Sequence, residues 1–170
     1  EKGLEAGARK GRYRAFVELI SPADGQSSAL LLGHHADDQA ETLLLRLMRG
    51  SGLRGASAMS KSRTLGDSGT VLLRPLLAQS KSELQQYVMT HELEHLKDPS
   101  NQDLRFDRNY IRHKIFPPLL ARWPKAVEAL TRFVDHLTAD LELLNDLAVI
   151  DLSFADRSKH SYGESLSLIH

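Results

Sequence analysis

The sequence predicts an α/β protein in which a parallel-sheet domain is followed by an all-helical segment. Up to about residue 93 the patterns run helix, strand, helix, strand, helix, which is the alternation that parallel sheets require. Residues 29–33 form a short apolar run, typical of a strand that is buried on both faces of such a sheet. The later patterns are all helical. We therefore predict two parts, residues 1–100 and residues 101–170.

Composition limits the possible functions. The chain has 170 residues, enough for one domain or for one domain with a small second one. Its 22 basic and 22 acidic residues balance, so no overall charge attracts nucleic acid or a membrane. Without cysteine, the chain holds no disulfide, no Cys-ligated zinc and no iron–sulfur cluster. No apolar run approaches the roughly 20 residues that span a bilayer, so we expect a cytoplasmic protein without membrane contact.

The first two predicted helices flank the apolar run. Residues 2–20 have apolar side chains at helical spacing and are predicted to form an amphipathic helix. The next helix is predicted to begin at Asp37 or Asp38, because Asp38 followed by Glu41 fits a capping box. Gly50 stands where a helix of this length would end.

The middle of the chain is predicted to be less regular. Residues 50–70 are rich in Gly and Ser and are predicted to form a loop. Residues 71–76 are predicted to form a short strand or extended segment. Ser80 and Glu83 form a second capping box, which opens a helix that reaches about Leu93.

The last third is predicted to be helical. Residues 98–101 have the composition of a turn. A helix is predicted over residues 107–121, with an interruption near Pro117 and Pro118. A long helix follows Pro124, because apolar residues recur on one face as far as residue 147.

The residues richest in reactive side chains lie at positions 33–42, between the predicted buried strand and the next helix. Ligands of open α/β sheets bind at the carboxyl ends of strands, and helix N-termini attract anions. Imidazoles and carboxylates placed there could bind a metal, orient an amine or transfer protons. The alternative is structural: Asp38 and Glu41 would only cap the helix, and His34 would only satisfy buried backbone.

Two further stretches could contact phosphates. Residues 49–55 combine glycines, which let backbone amides approach a phosphate closely, with arginine; the alternative is a flexible helix end. A basic cluster in the helical segment could contact nucleic acid, or could be an ordinary solvated helix surface. Its members are Arg105, Arg108, Arg112, Lys114, Arg122, Lys125 and Arg132.

Taken in order, several motifs resemble one enzyme family. The most specific is His34-His35-Ala36-Asp37-Asp38-Gln39-Ala40-Glu41-Thr42, followed by Leu47-Met48-Arg49-Gly50-Ser51-Gly52-Leu53. The motifs that follow are Leu73-Arg74-Pro75-Leu76-Leu77, Asp98-Pro99-Ser100-Asn101, Arg108-Asn109-Tyr110-Ile111-Arg112, Pro117-Pro118-Leu119-Leu120 and Arg122-Trp123-Pro124. Over roughly residues 1–150 this series resembles the bacterial tRNA(Ile)-lysidine synthetases.

The resemblance implies a fold and an activity. Residues 1–100 would be the C-terminal half of a catalytic domain of the ATP-pyrophosphatase type, an adenine-nucleotide α-hydrolase-like and Rossmann-like fold. Residues 101–170 would begin a helical linker domain that contacts tRNA. The family uses ATP and Mg²⁺ to ligate L-lysine to C2 of the wobble cytidine of isoleucine tRNA with a CAU anticodon, through an adenylated base. A homodimer is an open alternative to a monomer.

The resemblance also implies site residues. The catalytic group would be His34, Asp37, Asp38 and Glu41, with Asp38 as a ligand of Mg²⁺. The ATP-binding residues would be Arg9, Arg12, Arg49, Gly50, Ser51 and Gly52. The tRNA-binding residues would be Arg74, Asn101, Arg108, Asn109 and Arg112.

One family motif has no match. The Ser-Gly-Gly-x-Asp-Ser loop that holds phosphates in these enzymes is not found in these residues, so we expect the 170-residue chain to be a truncated, inactive piece. Two alternatives stay open: a tRNA cytidine thiolase of the same superfamily, which the absence of cysteine disfavours, and a non-catalytic tRNA-binding fragment.

Overall fold

The computed structural model describes residues 2–20, 28–65, 69–96 and 98–159. Its helices are α1 (Lys2–Ile20), α2 (Ala36–Met48), α3 (Leu53–Ala56), α4 (Lys81–Thr90), α5 (Asp107–Tyr110), α6 (Phe116–Arg122) and α7 (Ala126–Lys159). A 3₁₀ turn spans Pro99–Gln102, and a π-helical turn spans Ile111–Ile115. The strands are β1 (Ser28–Leu31), β2 (Ser62–Thr64) and β3 (Thr70–Leu73).

The three strands form one sheet in the order β1-β3-β2. β1 runs parallel to β3, with Leu30 opposite Leu72, and β2 runs antiparallel to β3. Thr70 and Leu72 on the central strand are fully buried. The predicted α/β class, with a small parallel sheet and a helical C-terminal region, is thus confirmed.

The apolar run at β1 differs from the prediction. The strand ends at Leu31, and its side chains alternate between partly buried and exposed, with Leu31 65% exposed. The expectation of burial on both faces is therefore wrong for the described residues. The physical reason is that β1 is the edge strand of this sheet, and the described elements cover one of its faces.

Regular structure also occurs where a loop was predicted over residues 50–70. This segment contains α3 and β2. All three residues of β2 are exposed, so no apolar alternation marks the strand in the sequence. Its pairing with β3 comes from backbone hydrogen bonds, which composition does not reveal.

The ends of α2 and α4 can be compared with the predicted helix caps. Ser80 and Glu83 form the predicted box: the Glu83 N–H donates to Ser80 Oγ at 3.2 Å, and the Ser80 N–H donates to Glu83 Oε2 at 2.7 Å. Gly50 follows α2 with φ +70°, as expected at a helix end. The Asp38–Glu41 box is wrong, because the N-cap of α2 is His35, whose N–H donates to Asp38 Oδ2 at 3.1 Å.

The interruption in the 107–121 region lies earlier than predicted. The irregular segment is the π-helical turn Ile111–Ile115, while Pro117 and Pro118 stand in the first turn of α6. Prolines are tolerated there, because the first residues of a helix need no N–H donor. They cannot donate to the carbonyls before them, and the wide turn directly precedes them.

Helix α2 is the centre of the packing. Leu43 packs in a buried cluster with Val134 and Leu137 of α7, and Ala40 packs in a second cluster with Phe116 of α6. The two parts predicted from the sequence therefore share an apolar core, and the boundary between them stays a prediction. Among the described helices, none is both long enough and apolar enough to cross a bilayer.

Truncating the centre of this core should destabilise the protein strongly. Leu43 is 1% exposed, and Leu43→Ala is expected to lower the free energy of unfolding by about 2–5 kcal/mol, because it removes buried methyl groups and leaves a cavity. Leu47→Ala, on the same helix but at a 43% exposed position, is the matched control and should cost under about 1 kcal/mol. Urea denaturation measures both; equal losses would place the core elsewhere.

Candidate active site

The predicted cluster lies where the N-termini of two helices meet. The Lys81 N–H, at the start of α4, donates to Asp37 Oδ2 at 2.8 Å. The Ala36 N–H, at the start of α2, donates to the Gln79 carbonyl at 2.8 Å. Asp37 and Asp38 thus stand in the first turn of α2, where the helix dipole favours negative charge.

The Asp37 carboxylate is held in its ionised form. Burial alone would raise its pKa, but the His35 side chain and the Lys81 N–H outweigh burial and lower it below its ordinary value. Asp37 is therefore a fixed negative charge at neutral pH and a weak proton acceptor.

Glu41 is the most deeply buried carboxylate of the cluster, at 2% exposure. Arg112 donates to both of its oxygens, from Nε to Oε1 at 2.7 Å and from Nη2 to Oε2 at 2.8 Å. Arg108 Nε lies 3.0 Å from Oε2. We call this set of Glu41, Arg108 and Arg112 the arginine–glutamate cluster.

Arg108 and Arg112 also contact other residues of α2. Arg112 Nη2 lies 3.4 Å from Asp38 Oδ1, and Arg108 Nη2 donates to Thr42 Oγ1 at 2.7 Å. Burial would lower the pKa of Arg112, but its hydrogen bonds to Glu41 and the nearby carboxylates raise it, so Arg112 remains charged. The side chains predicted to bind tRNA therefore point toward the predicted catalytic carboxylates.

A buried amide anchors the segment that carries these arginines. Asn109, 7% exposed, donates from Nδ2 to the Ser100 carbonyl at 2.8 Å and to the Asp103 carbonyl at 3.0 Å. The Asn101 carbonyl contacts His113 Nε2 at 2.8 Å. In this structure Asn109 holds the 3₁₀ turn against α5, and Asn101 takes part through its backbone.

A small cavity of about 170 Å³ opens beside the cluster. It is lined by Asp37, Glu41, Lys81, Arg112, Phe116 and Leu120. The lining combines two carboxylates, two cations and an apolar wall. This volume lies below the roughly 300–1,000 Å³ of pockets that hold drug-sized ligands, so it suits a smaller molecule.

The carboxylates as arranged do not fit a metal ion. Asp38 and Glu41 face arginines, and Asp37 accepts the Lys81 N–H. In the part of the chain that the structure describes, no group of three or more His, Asp or Glu side chains is placed to hold a metal. The expected Mg²⁺ ligation by Asp38 would require Arg112 to move away.

Of the residues predicted to bind ATP, those whose side chains the structure describes do not line the cavity. The side chain of Arg9 falls outside the described residues, and Arg12 is exposed on α1. Arg49 is exposed and pairs with Asp107 at 3.0 Å. Gly50, partly buried Ser51 and Gly52 form the turn between α2 and α3.

The structure also describes the predicted site residues His34 and Arg74. His34 lies partly buried in the loop between β1 and α2, close to the cluster in sequence. Arg74 is 4% exposed and donates from Nη1 to the Ser60 carbonyl at 2.7 Å. Its guanidinium therefore ties the end of β3 to the segment before β2.

The prediction missed His35 as a site residue. Its Nδ1 lies 3.6 Å from Asp37 Oδ2, and its Nε2 lies 3.4 Å from Asp38 Oδ2. His35 could have been selected from the sequence, because it belongs to the His34–Thr42 motif. It also missed Lys81, Phe116 and Leu120, which lie far along the chain and reach the cavity only through folding.

Removing the buried charge of Glu41 should destabilise the fold. Glu41→Gln leaves Arg108 and Arg112 without their shared carboxylate, and we expect a loss of about 3 kcal/mol in the free energy of unfolding. Asp107→Asn breaks the exposed pair with Arg49 and should cost under about 1 kcal/mol. Denaturant titration compares them, and a Glu41→Gln loss as small as the control would show that the buried pair adds nothing.

Because of Asp37, the free energy of unfolding should depend on pH in the acid range. Because its pKa is lowered by folding, the unfolded state takes the proton first, so this contribution is present at neutral pH and is lost as pH falls below about 4. Asp37→Asn should therefore show a smaller loss of unfolding free energy between pH 6 and pH 3 than the unchanged chain. The same substitution at exposed Asp135 is the control, and equal pH slopes for Asp37→Asn and the unchanged chain would contradict the assignment.

Comparison with known proteins supports the resemblance. Residues 1–119 match the model of the PP-loop domain family. The chain is 50% identical over 149 residues to a tRNA(Ile)-lysidine synthase of Pseudomonas aeruginosa. The aligned part covers 88% of this chain and 32% of that protein. It is 48% identical over 152 residues to that of Pseudomonas fluorescens (89% and 33%) and 40% identical over 154 residues to that of Coxiella burnetii (91% and 33%).

The chain spans about a third of the length of the curated relatives it matches. The resemblance to tRNA(Ile)-lysidine synthases is confirmed, and it extends well beyond the His34–Thr42 motif. Since the family model covers more than half of the residues, the chain belongs to the PP-loop domain family.

Proposed function

We propose that this chain contributes the lysine-binding part of the active site of a tRNA(Ile)-lysidine synthase. The reaction would be ATP-dependent ligation of L-lysine to C2 of the wobble cytidine of isoleucine tRNA with a CAU anticodon. The observation that carries the proposal is the small cavity beside the arginine–glutamate cluster, in a chain 50% identical over 149 residues to a protein of that name.

The lining of the cavity matches the chemistry of lysine. A free lysine carries one carboxylate and two ammonium groups, joined by an apolar stem. Lys81 supplies positive charge for the carboxylate, while Phe116 and Leu120 supply an apolar wall for the methylenes. A site with both signs of charge and an apolar wall is what an amino acid of this shape requires.

Asp37 is the carboxylate best able to hold an ammonium group. Glu41 already faces two guanidinium groups, so little of its charge remains unneutralised. Asp37 stays ionised because of its lowered pKa, and Lys81 contacts it through the backbone N–H. We assign Asp37 to binding the amine and not to removing its proton.

Removal of a proton from the amine requires another group. The imidazole of His35 lies between Asp37 and Asp38, within 3.6 Å of both carboxylates. Both ring nitrogens of His35 thus face carboxylates of this chain, so we assign His35 to orienting Asp37 and Asp38 and assign no proton transfer to it.

ATP would supply the activation that lets the amine displace a leaving group at C2. Arg12, Arg49, Gly50 and Gly52 are exposed, Ser51 is partly buried, and these residues would flank its phosphates. Because the carboxylates do not fit Mg²⁺ as arranged, we assign no step to a metal in this chain.

The proposal is tested in a chimera. The 149 matching residues of this chain replace their counterparts in the Pseudomonas aeruginosa protein, and incorporation of labelled lysine into isoleucine tRNA is measured with ATP. The chimera should be active, whereas the 170-residue chain alone should not be. Robust incorporation by the chain alone would show that a phosphate-holding loop is dispensable, and an inactive but folded chimera would contradict the function.

Two variants of the chimera should separate binding from chemistry. Asp38→Asn keeps an oxygen that can accept the His35 N–H but removes the charge next to His35 and Arg112, and should reduce kcat at least about 10²-fold. Asp37→Asn should mainly raise the KM for lysine. Asp140→Asn, at an exposed position of α7 outside the cavity, is the control. Near-normal kcat for Asp38→Asn would leave Asp38 only its hydrogen bond to the His35 N–H.

A further inference from the structure

The segment that joins α3 to β2 is bound by side chains of α2. Arg46 Nη1 donates to the Gly55 carbonyl and to the Ala58 carbonyl, both at 2.6 Å. Gln39 binds the next residue, Met59. Ala58 has φ +50°, a left-handed backbone conformation that residues with a side chain adopt uncommonly. Such a conformation persists where surrounding contacts hold it, so the path of this segment depends on Arg46 and Gln39.

The Gln39 amide pairs with both backbone groups of Met59. Its Nε2 donates to the Met59 carbonyl at 2.8 Å, and its Oε1 accepts the Met59 N–H at 2.9 Å. Gln39 is 5% exposed and Met59 is 9% exposed. The amide therefore occupies the place that a neighbouring strand would take. An apolar side chain at this position would remove both partners from buried backbone groups, which is costly in free energy.

Gln39 also lies next to the candidate active site. It follows Asp38 directly, and its backbone N–H donates to the His35 carbonyl at 3.1 Å in the first turn of α2. The same turn is joined to the start of α4, because the Lys81 N–H donates to Asp37. The first turn of α2 is thus bound to two other segments, and the Gln39 side chain makes the contact with the segment before β2.

The residue type at this position favours positioning over bulk packing. Leu43, one turn further along α2, fills the apolar core at 1% exposure. A buried amide adds less apolar surface and requires partners at fixed distances and angles. Once those partners are present, the contact restricts α2 to one placement against the segment before β2, whereas an apolar residue would tolerate small shifts.

We propose that Gln39 is a positioning residue for the proposed ligation reaction. By binding both backbone groups of Met59, its amide fixes the first turn of α2, and with it the Asp38 carboxylate and the His35 ring. Gln39 does not line the cavity, so it acts through these two residues. The inference rests on the proposed function for the identity of the reaction, but the contact between Gln39 and Met59 is tested without it.

Hydrogen exchange of the Met59 N–H tests this contact in the unchanged 170-residue chain. Because Gln39 accepts this hydrogen bond in a buried place, the Met59 N–H should exchange as slowly as the N–H groups of α2 around Leu43. Exchange at the rate of an exposed loop would overturn the inference, and this measurement requires no substitution.

A matched pair of variants tests whether the contact positions the site. Gln39→Met keeps the length of the side chain but removes both hydrogen bonds to Met59. Thr70→Val is the control, because it removes the buried hydrogen bond between Thr70 and Ser28 at the start of β3 and β1. The Met59 N–H should exchange at least about 10-fold faster in Gln39→Met than in Thr70→Val, and the His35 ring resonances should shift in Gln39→Met only.

His35 resonances at the positions of the unchanged chain, in a folded Gln39→Met protein, would show that Gln39 is structural only and would overturn the inference. If Gln39→Met does not fold, Gln39→Leu is measured in its place, since it also fills the position without an amide.

The chimera separates positioning from a general loss of stability. At a temperature where circular dichroism shows both variants to be folded, Gln39→Met should lower kcat for lysine incorporation about 10-fold or more, because small misplacements of reacting groups are costly. Thr70→Val should leave kcat unchanged. An unchanged kcat for Gln39→Met would overturn the inference and leave the proposed function standing.

Failure of the proposed function would give a different result. If the chimera is folded but inactive, while Gln39→Met exposes the Met59 N–H to exchange and shifts the His35 resonances, the function is wrong. Gln39 would then still be the residue that positions the first turn of α2.

Discussion

The buried carboxylate of Glu41 is the interaction on which the arrangement of this molecule depends. A charge at 2% exposure is tolerated only when opposite charges and hydrogen bonds replace the lost water. Arg108 and Arg112 supply both, and they come from a segment about 70 residues further along the chain. Their engagement fixes α5 and the π-helical turn against α2, and the adjoining α6 and α7 complete the apolar core around the same helix.

The same ion pairs determine the electrostatics of the cavity. Because the arginines neutralise Glu41 and lie near Asp38, most of the acidity that the motif suggests is already compensated within the chain. Asp37 is the carboxylate whose charge is least shared, since it is held by a backbone N–H and the imidazole of His35. The cavity therefore suits a molecule with charges of both signs and suits a bare divalent cation poorly.

The arginine–glutamate cluster also determines which basic residues of the helical segment are paired within the chain. In the sequence, the cations between residues 105 and 132 form one group that could contact phosphates. In the structure, Arg105 is bound bidentately by Asp103, and the arginine–glutamate cluster holds two more. The other members of the basic cluster, Lys114, Arg122, Lys125 and Arg132, are exposed.

Sequence patterns are enough to predict the fold class, the helices α1, α2, α4 and α7, the Ser80 cap and the stretch that contains the carboxylates. These features depend on local periodicity and on side chains within a few residues of each other, which sequence patterns record directly. Only the folded structure shows the exposed strand β2, the π-helical turn, His35 as the N-cap of α2 in place of Asp38, and the contribution of Lys81 and Phe116 to the cavity. Each of these depends on backbone pairing or on contacts between segments that are distant in the chain, which no local pattern specifies.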